Sequence, residues 1–421
     1  MLLAWLLIFN HFGRPFEKIL VGYRIPAALC GTAIIVLILQ GSFVGFIVTR
    51  IGRAVLAFMV WMVLVTPMSS WRGGSLTYVV WYLALNGALF LILAASAGSH
   101  FGIKKLFYIA AFSCVFHIVI GGNFDPSERL NLDGTFGNAD DVALLAGFAL
   151  PFVLFSASQL PHLLLRILVA VPAAGFLLYC IGLTGTRSAI IGLACVLAVY
   201  LWRLNATQGM AILLLCAIAF VGMVVILPAT VVSRFVTIVD SFNIEAARQQ
   251  RMESEAMASV ADRYDLMMDG IHMTLTHPVW GVGPGQYPHY RFMNFKYANG
   301  QPKRWFPSHN TFIQISSESG IPGIMLYLLF LGMIYKTIRN CYALCTPNSH
   351  ANWKLGYQMT LCLEVSFVYF VVCAIFMTCD QHPHQFLTAG LAVALERTLA
   401  VAVRSQTATA PALAIQPRLA V

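Results

Sequence analysis

Long apolar segments separated by short polar turns make up most of the chain. Several of these segments approach the roughly 20 residues that a membrane-spanning helix needs. They lie at about residues 2–12, 25–48, 54–67, 76–97, 106–121, 142–157, 163–183, 189–202, 210–228, 322–338, 355–378 and 386–403. We therefore predict an all-α, polytopic membrane helix bundle with 11 or 12 transmembrane helices. The count depends on the first segment, which is too short to span a bilayer unaided.

One long polar interruption, residues 229–308, breaks this pattern before the last three apolar segments. Its residues 243–275 place apolar side chains at mostly three- and four-residue steps, which predicts an amphipathic helix. The rest is rich in Pro, Gly and Asn and predicts an irregular, ordered loop. A bundle that only packs helices has no use for such a loop, so function is expected there. We predict one transmembrane domain over 1–403, which includes the loop, and a disordered cytoplasmic tail over 404–421.

Composition and charge decide the class of protein and its orientation. A chain of 421 residues that is 59% hydrophobic and 10% charged cannot be a soluble domain, so its expected partner is the lipid bilayer and not nucleic acid. Loops biased toward Lys and Arg face the cytoplasm, so residues 229–308 and the acidic loop 122–141 are expected on the outer side. In a bacterium that side is the periplasm, and the bundle would lie in the inner membrane. Arg14, Lys18 and Arg24 disagree with this topology, because they fall on the outer side.

The second half of the long loop is basic and aromatic. From Gly270 to Ser308 it holds four Lys or Arg residues and no acid. Such a stretch attracts an anion, and its aromatic faces can support sugar rings or lipid headgroups. The substrate-binding candidates in this stretch are Arg291, Arg304, Trp280, Tyr287 and Trp305, and two more lie outside it: Arg234, earlier in the loop, and Asn310, just after it. The alternative for each is an interfacial aromatic belt with snorkelling bases.

His309 follows this stretch, directly before the next apolar segment. A histidine pKa near 6.5 allows a neutral imidazole to accept a proton, and the neighbouring Asn310 can orient it. Arg187 lies between two apolar segments, where a guanidinium needs a negative partner, and Arg263 lies in the amphipathic helix. We expect these groups to converge on the outer side. The structural alternatives are a hydrogen-bonded histidine at a helix start and a salt bridge from Arg187 to an acid of loop 122–141.

Other polar groups support rival interpretations. Glu364 lies within an apolar segment and favours a transporter with a proton relay, although no matching buried base accompanies it. His117 is interpreted as a packed or interfacial residue. The acids of loop 122–141 can hold a divalent cation, but no spacing is diagnostic. Cys341 and Cys345 have a metal-like spacing without a second Cys or His pair. We therefore predict neither a metal site nor a cofactor.

Four motifs together resemble the O-antigen ligase and polymerase superfamily of bacterial envelope glycosyltransferases. They are GTFGN at 134–138, TGTRS at 184–188, THPVWGVGPGQY at 276–287 and SHNTFIQISSESGIPG at 308–323. The last two are the most specific. The chain departs from the family pattern at Asn138-Ala-Asp140-Asp141, where many relatives have a second Asn or a similar neutral residue.

This resemblance implies transfer of a glycan from an undecaprenyl-pyrophosphate carrier to an acceptor hydroxyl, without a metal or a nucleotide sugar. It implies that His309 is the family's essential histidine and acts as the base, and that Arg187 and Arg263 bind the pyrophosphate. The preferred acceptor is lipid A-core oligosaccharide, which makes the protein an O-antigen ligase. The alternatives are an O-antigen or exopolysaccharide polymerase and an O-linked protein oligosaccharyltransferase. A transporter for lipid-linked sugars is the more distant alternative.

Overall fold

The computed structural model describes most of the chain. It describes residues 1–15, 25–39, 41, 49–96, 100–125, 128–132, 134–203, 207, 209–210, 213–214, 216–217, 221–222, 255–297, 299–347 and 349–409. Most of the predicted apolar segment 210–228 lies outside these residues. So do Arg234 and the first part of the predicted amphipathic helix, 243–254.

Helices form nearly all of the regular structure. The α-helices are α1 Leu2–Ile8, α2 Ile25–Leu39, α3 Arg50–Val65, α4 Arg72–Tyr82, α5 Ala88–Ala95, α6 His100–Gly121, α7 Ala139–Ser158, α8 Leu163–Thr184, α9 Arg187–Arg203, α10 Glu255–Thr276, α11 Tyr287–Asn294, α12 Thr311–Leu344, α13 Trp353–Ala374 and α14 His384–Thr409. A π-helical turn, Leu83–Gly87, joins α4 and α5 into one span, and another, Phe9–Gly13, extends α1. Two short strands, β1 Gly122–Asn123 and β2 Asn131–Leu132, pair antiparallel in the loop before α7.

Eight helical spans in the described part of the chain are long and apolar enough to cross a membrane. Each coincides with a predicted apolar segment, and three further segments form the shorter helices α1, α2 and α9. The polytopic all-α fold is thereby confirmed. The segments 54–67 and 189–202, which look too short, extend to Arg50–Met68 and Arg187–Arg203. The last helix continues to Thr409, so the first residues of the predicted disordered tail are helical.

Close packing around one tyrosine fixes the part of the bundle that carries the candidate site. Tyr369 of α13 is buried, and its hydroxyl donates a hydrogen bond to the Ala143 carbonyl of α7 at 2.8 Å. Gly147 of α7 and Gly192 of α9 leave room for its ring, because a Cβ at these positions would lie 2.0 and 2.8 Å from ring carbons. Small residues permit this close approach of helices within a membrane. Helices α7 and α9 are thus held against the same neighbour.

The described part of the long loop docks on the start of α12. The predicted amphipathic helix is observed as α10, over Glu255–Thr276. The hydroxyls of Thr274 in α10 and Ser316 in α12 share a hydrogen bond of 2.9 Å. The long loop is therefore attached to the helix that begins just after His309.

The glycine-rich motif before α11 and the motif inside α12 contact each other directly. The Val282 amide donates to the Ser317 carbonyl at 2.8 Å. Gly281 has a φ of 67°, and a Cβ there would lie 2.3 Å from the carbonyl carbon of Glu318. Gly320 has a φ of 71°, and a Cβ there would overlap a backbone carbonyl at 2.2 Å. Glycine is needed at both positions because only it combines this conformation with so close an approach.

The Glu318 side chain reinforces this contact. Its buried carboxylate accepts hydrogen bonds from the amides of Gly285 at 2.7 Å and Tyr287 at 3.0 Å, and also from the side chain of Gln314. Hydrogen bonds from several donors stabilise a buried carboxylate. The glutamate of the Glu-x-Gly turn thus holds the loop onto α12.

Candidate functional site

Ser308 and Asn310 hold the backbone on both sides of His309. The Asn310 side-chain oxygen caps α12 by accepting hydrogen bonds from two amides of the first turn, at 3.0 Å each. Its side-chain nitrogen donates to the Ile375 carbonyl at 2.8 Å. The Ser308 hydroxyl donates to the Asn310 carbonyl at 2.7 Å. Both residues therefore bind backbone here, and the orientation expected of Asn310 acts through the backbone of His309.

His309 itself has a left-handed backbone with a φ of 52°, which non-glycine residues rarely adopt. The residue is half-buried, and no described residue hydrogen-bonds to its ring nitrogens. Burial, and then the positive charge of Arg263, lowers the pKa of His309 to about 4, while the negative charge of Asp140 acts in the opposite direction. The imidazole is therefore neutral at neutral pH and can accept a proton.

The loop between α6 and α7 brings Arg129 to the end of α8. Its Nε donates to the Thr184 carbonyl at 2.6 Å, and its Nη2 donates to Oδ1 of Asp140 at 3.1 Å. Carbonyls at a helix C-terminus carry partial negative charge and attract such a cation. Asn138 caps α7, and its side-chain oxygen accepts a hydrogen bond from the Asp140 amide at 3.2 Å. Asp140 thus lies in the first turn of a capped helix.

Three further segments meet at Asp140. Its Oδ1 accepts a hydrogen bond of 2.9 Å from the Thr186 hydroxyl, in the turn before α9. Its Oδ2 accepts one of 2.7 Å from Arg263 of α10. The charges of Asp140 and Arg263 both act on His309, which places the imidazole beside the pair. With Arg129, two guanidinium groups flank one buried carboxylate, and the cluster carries a net positive charge.

Arg187 is the first residue of α9 and directly follows Thr186. The connection from α8 to α9 is short because Gly185 adopts a φ of 59° and ends α8. The backbone of Arg187 therefore adjoins the residue that hydrogen-bonds to Asp140. The structure brings Arg263 and His309 together and places Arg187 next to that cluster in the chain.

Two of the basic residues in the second half of the long loop pair with an acid that directly precedes it. Asp269 of α10 is buried and accepts hydrogen bonds from Arg291 Nε at 2.8 Å and from Lys303 Nζ at 2.7 Å. Arg291 is only 3% exposed, so its charge stabilises the loop. Arg304 has an exposed side chain, and its carbonyl accepts a hydrogen bond from Arg291 at 2.9 Å.

The aromatic candidates in the long loop differ in exposure. Tyr287 is buried, and its hydroxyl donates to a backbone carbonyl of α10. Trp280 is 44% exposed and stacks on Trp61, with ring centroids 5.6 Å apart. Trp305 is 52% exposed. The two tryptophans can offer a ring face to a ligand. Arg234, the remaining candidate, lies outside the described residues.

Glu364 has a basic partner within the bundle. Its carboxylate accepts hydrogen bonds from Arg203 at 2.8 and 3.0 Å and from the Tyr342 hydroxyl at 2.6 Å. The Arg203 guanidinium also lies 4.3 Å from the centroid of the Tyr342 ring. These contacts join α9, α12 and α13, so packing accounts for this intramembrane acid. His117 is buried, as expected, and its Nδ1 donates to the Phe12 carbonyl at 3.0 Å.

Sequence reasoning did not select Arg129, Asp140 or Thr186 as site residues. It treated Asp140 as a departure from the family motif and as one of several acids that could hold a cation or pair with Arg187. In the part of the chain that the structure describes, no group of three His, Cys, Asp or Glu side chains is placed to hold a metal ion. A partial signal was available, because an acid at the start of an apolar segment, such as Asp140, needs a positive or hydrogen-bonding partner once it is buried. The sequence does not indicate that this partner is Arg129.

The residues of the site fall largely within a segment that matches a known family. Residues 172–328 match the model of the family described as O-antigen ligase. The matched segment starts inside α8 and includes Arg187, Arg263 and His309. The match supports the resemblance to that superfamily which the motifs indicate, and it suggests a membrane enzyme similar to O-antigen ligases and polymerases. No curated protein matches the chain.

Proposed function

We propose that this protein, which resembles the O-antigen ligase superfamily, transfers a glycan from undecaprenyl pyrophosphate to an acceptor hydroxyl. The reaction takes place at the periplasmic face of the inner membrane, and lipid A-core oligosaccharide is the preferred acceptor. The observation that carries the proposal is the convergence of Arg129 and Arg263 on Asp140, beside the neutral imidazole of His309.

The cluster has the properties of a pyrophosphate site. Helix α7 begins directly before Asp140, α9 begins directly after Thr186, and α12 begins two residues after His309. Helix N-termini present unpaired amides and a partial positive charge to an anion. The guanidinium groups of Arg129 and Arg263 add full charges, and Arg187 contributes a third from the start of α9. The Asp140 carboxylate holds two of these arginines in place before the donor arrives.

The proposed reaction needs one base and one set of cations. The acceptor oxygen attacks the anomeric carbon of the carrier-linked sugar, and its proton passes to a ring nitrogen of His309. The bond from the anomeric carbon to the pyrophosphate oxygen breaks, and undecaprenyl pyrophosphate leaves with the electron pair. Fixed guanidinium groups stabilise the charge that develops on it. The bound pyrophosphate also raises the pKa of His309, because a nearby negative charge favours the imidazolium ion.

The position of the cluster suits a lipid-linked donor. The polyprenyl chain of such a donor requires a bilayer, and its sugar requires water. His309 lies where the long polar loop meets the apolar helix α12, at the end of a spanning helix. The pyrophosphate joins the two parts of the donor, so the boundary between loop and bundle is where it is expected.

Purified protein in lipid vesicles tests the proposal. The substrate is undecaprenyl pyrophosphate that carries the glycan, with lipid A-core, a second carrier-linked repeat or a glycosylatable peptide as acceptor. We expect transfer to lipid A-core, its loss in His309→Ala and its retention in the control His272→Ala, an exposed histidine of the same loop. Full activity of correctly inserted His309→Ala would disprove the role of the base.

The same assay decides between the remaining candidates. Product with a second carrier-linked repeat would identify a polymerase, and product with the peptide would identify an O-linked protein oligosaccharyltransferase. We expect EDTA to leave transfer unchanged, because the proposed mechanism uses guanidinium groups where other glycosyltransferases use a metal ion. Loss in EDTA that magnesium or manganese restores would contradict this mechanism.

A further inference from the structure

A second polar cleft lies on α10, next to the face that carries Arg263. One wall consists of residues of α10, and the other consists of Arg291 of α11 with Tyr297, Arg304 and Phe306. The cleft is lined by Asp262, Asp265, Leu266, Arg291, Tyr297, Arg304 and Phe306. None of the proposed steps of the transfer reaction uses it.

The wall opposite α10 is held by a buried ion cluster. Asp269 accepts hydrogen bonds from Lys303 at 2.7 and 2.8 Å and from Arg291 at 2.8 Å. The Lys303 amide also donates to the Phe295 carbonyl at 3.0 Å. Charged hydrogen bonds shielded from water hold their partners more firmly than exposed ones do. The second wall of the cleft is therefore attached to α10 by contacts within the protein.

The side chains in the cleft have the chemistry of a saccharide site. Asp262 and Asp265 are three residues apart and share one helix face, where their carboxylates can accept hydrogen bonds from sugar hydroxyls. Tyr297 and Phe306 supply aromatic faces for a sugar ring, and Phe306 is 47% exposed. Arg304 supplies donors. The lining holds two carboxylates and two guanidinium groups, so its formal charges balance. A neutral ligand therefore suits it better than a pyrophosphate, whereas the cluster at Asp140 has a net positive charge.

We propose that this cleft binds a neutral saccharide segment of one of the two substrates. Arg263 is the residue after Asp262, and consecutive residues of a helix point about 100° apart around its axis. A glycan whose pyrophosphate is held at Arg263 therefore passes into the cleft by following the surface of α10. An acceptor glycan can enter the same cleft from the open side. This inference rests on the proposed function, because it assigns the sugars of that reaction.

The first experiment measures saccharide binding apart from transfer. The probe is the oligosaccharide released from the carrier by mild acid, which lacks phosphate, and saturation-transfer NMR reports its contact with the full-length protein in detergent. We expect binding to wild type and to the control Phe292→Ala, an exposed aromatic of α11 outside the cleft. We expect Phe306→Ala and Asp265→Asn to weaken it about tenfold. Equal binding by all four proteins would overturn the proposal.

The second experiment identifies the substrate whose sugars occupy the cleft. Donors with one sugar or with the full glycan are combined with short or long acceptor oligosaccharides. A decrease in kcat/KM for Phe306→Ala that appears only with the full-length donor assigns the cleft to the donor, and a decrease only with the long acceptor assigns it to the acceptor. An equal decrease for every pair would show a structural role and overturn the proposal. If wild type transfers no glycan at all, the proposed function fails, and the NMR result still decides whether the cleft binds saccharide.

Discussion

Replacing Asp140 by Asn removes the negative charge on which two guanidinium groups converge. Asp140 accepts charged hydrogen bonds from Arg263 at 2.7 Å and from Arg129 at 3.1 Å, and both arginine side chains are about one-third exposed. Such a bond contributes about 1.5–3 kcal/mol when buried, less where water screens it. We therefore expect the two arginines, once they are less well positioned, to stabilise the transition state by about 2–3 kcal/mol less. This corresponds to a decrease in kcat of about 30- to 150-fold.

Two effects of this substitution oppose each other, and steady-state kinetics separates them. Loss of the carboxylate makes the site more positive, so the KM for the pyrophosphate donor should fall or stay unchanged. Loss of arginine positioning should lower kcat. The assay is glycan transfer in vesicles. Asp141→Asn is the matched control, because it removes the same charge from the next residue, whose carboxylate lies 3.6 Å from the ring of His382.

The outcomes for Asp140→Asn are distinct. A large decrease in kcat with unchanged or lower KM supports the positioning role. A lower KM with unchanged kcat would refute it and show that Asp140 only competes with the donor for the arginines. The pKa of His309 provides a further readout, because Asp140 raises it. The acid limb of the pH profile should therefore move to lower pH in this variant, whereas a merely destabilised fold would leave its midpoint in place.

Four more predictions concern other parts of the molecule. The pKa of about 4 for His309 predicts that kcat/KM of wild type is lost only as pH falls through about 4, because protonation removes the base; a midpoint near 6.5 would contradict the burial argument. Arg187→Lys should lower transfer about tenfold, since a point charge lacks the planar fork, and wild-type activity would exclude a pyrophosphate contact. Gly281→Ala should lower both the melting temperature and activity, because its Cβ would lie 2.3 Å from the Glu318 carbonyl carbon; the control Gly332→Ala, with nothing within 4 Å, should change neither. Glu364→Gln should lower the melting temperature by several degrees and leave transfer intact, whereas a proton-coupled transporter would lose its function.

Hydropathy predicts the helices well because a bilayer requires apolar segments of spanning length. It cannot predict which short segments span, and Arg187–Arg203 shows the reason. It is preceded by a turn of only two residues, made possible by the left-handed Gly185, and it ends at the Arg203 that pairs with Glu364. Both details depend on contacts between distant segments. The number of helices counted from hydropathy alone is therefore least certain where the bundle contains ion pairs such as that between Arg203 and Glu364.

The candidate site is predictable from the sequence only in part. His309 is evident because a polar residue stands at a loop–helix boundary, and Arg263 because an arginine recurs in the family's loop. The pairing of Asp140 with Arg129 cannot be predicted from the sequence. Their hydrogen bond joins residues eleven positions apart, and Arg129 is also held by the Thr184 carbonyl at the end of α8. The basic charge of the second half of the long loop wrongly suggests four cations available to an anion. Asp269 lies one residue before this acid-free stretch, and it pairs with two of the four, Arg291 and Lys303.

The motifs most specific to the family have a structural role in this chain. Gly281 and Gly320 allow two backbones to touch, and Glu318 holds the loop by its amides. Together they attach the long loop to α12, the helix that begins two residues after His309. Such a motif suits the proposed reaction, because it fixes the start of the helix that directly follows His309 and Asn310. It does not identify the acceptor, because Gly281, Glu318 and Gly320 are buried. Acceptor choice must then depend on exposed surfaces outside these motifs, of which the cleft on α10 is a described example.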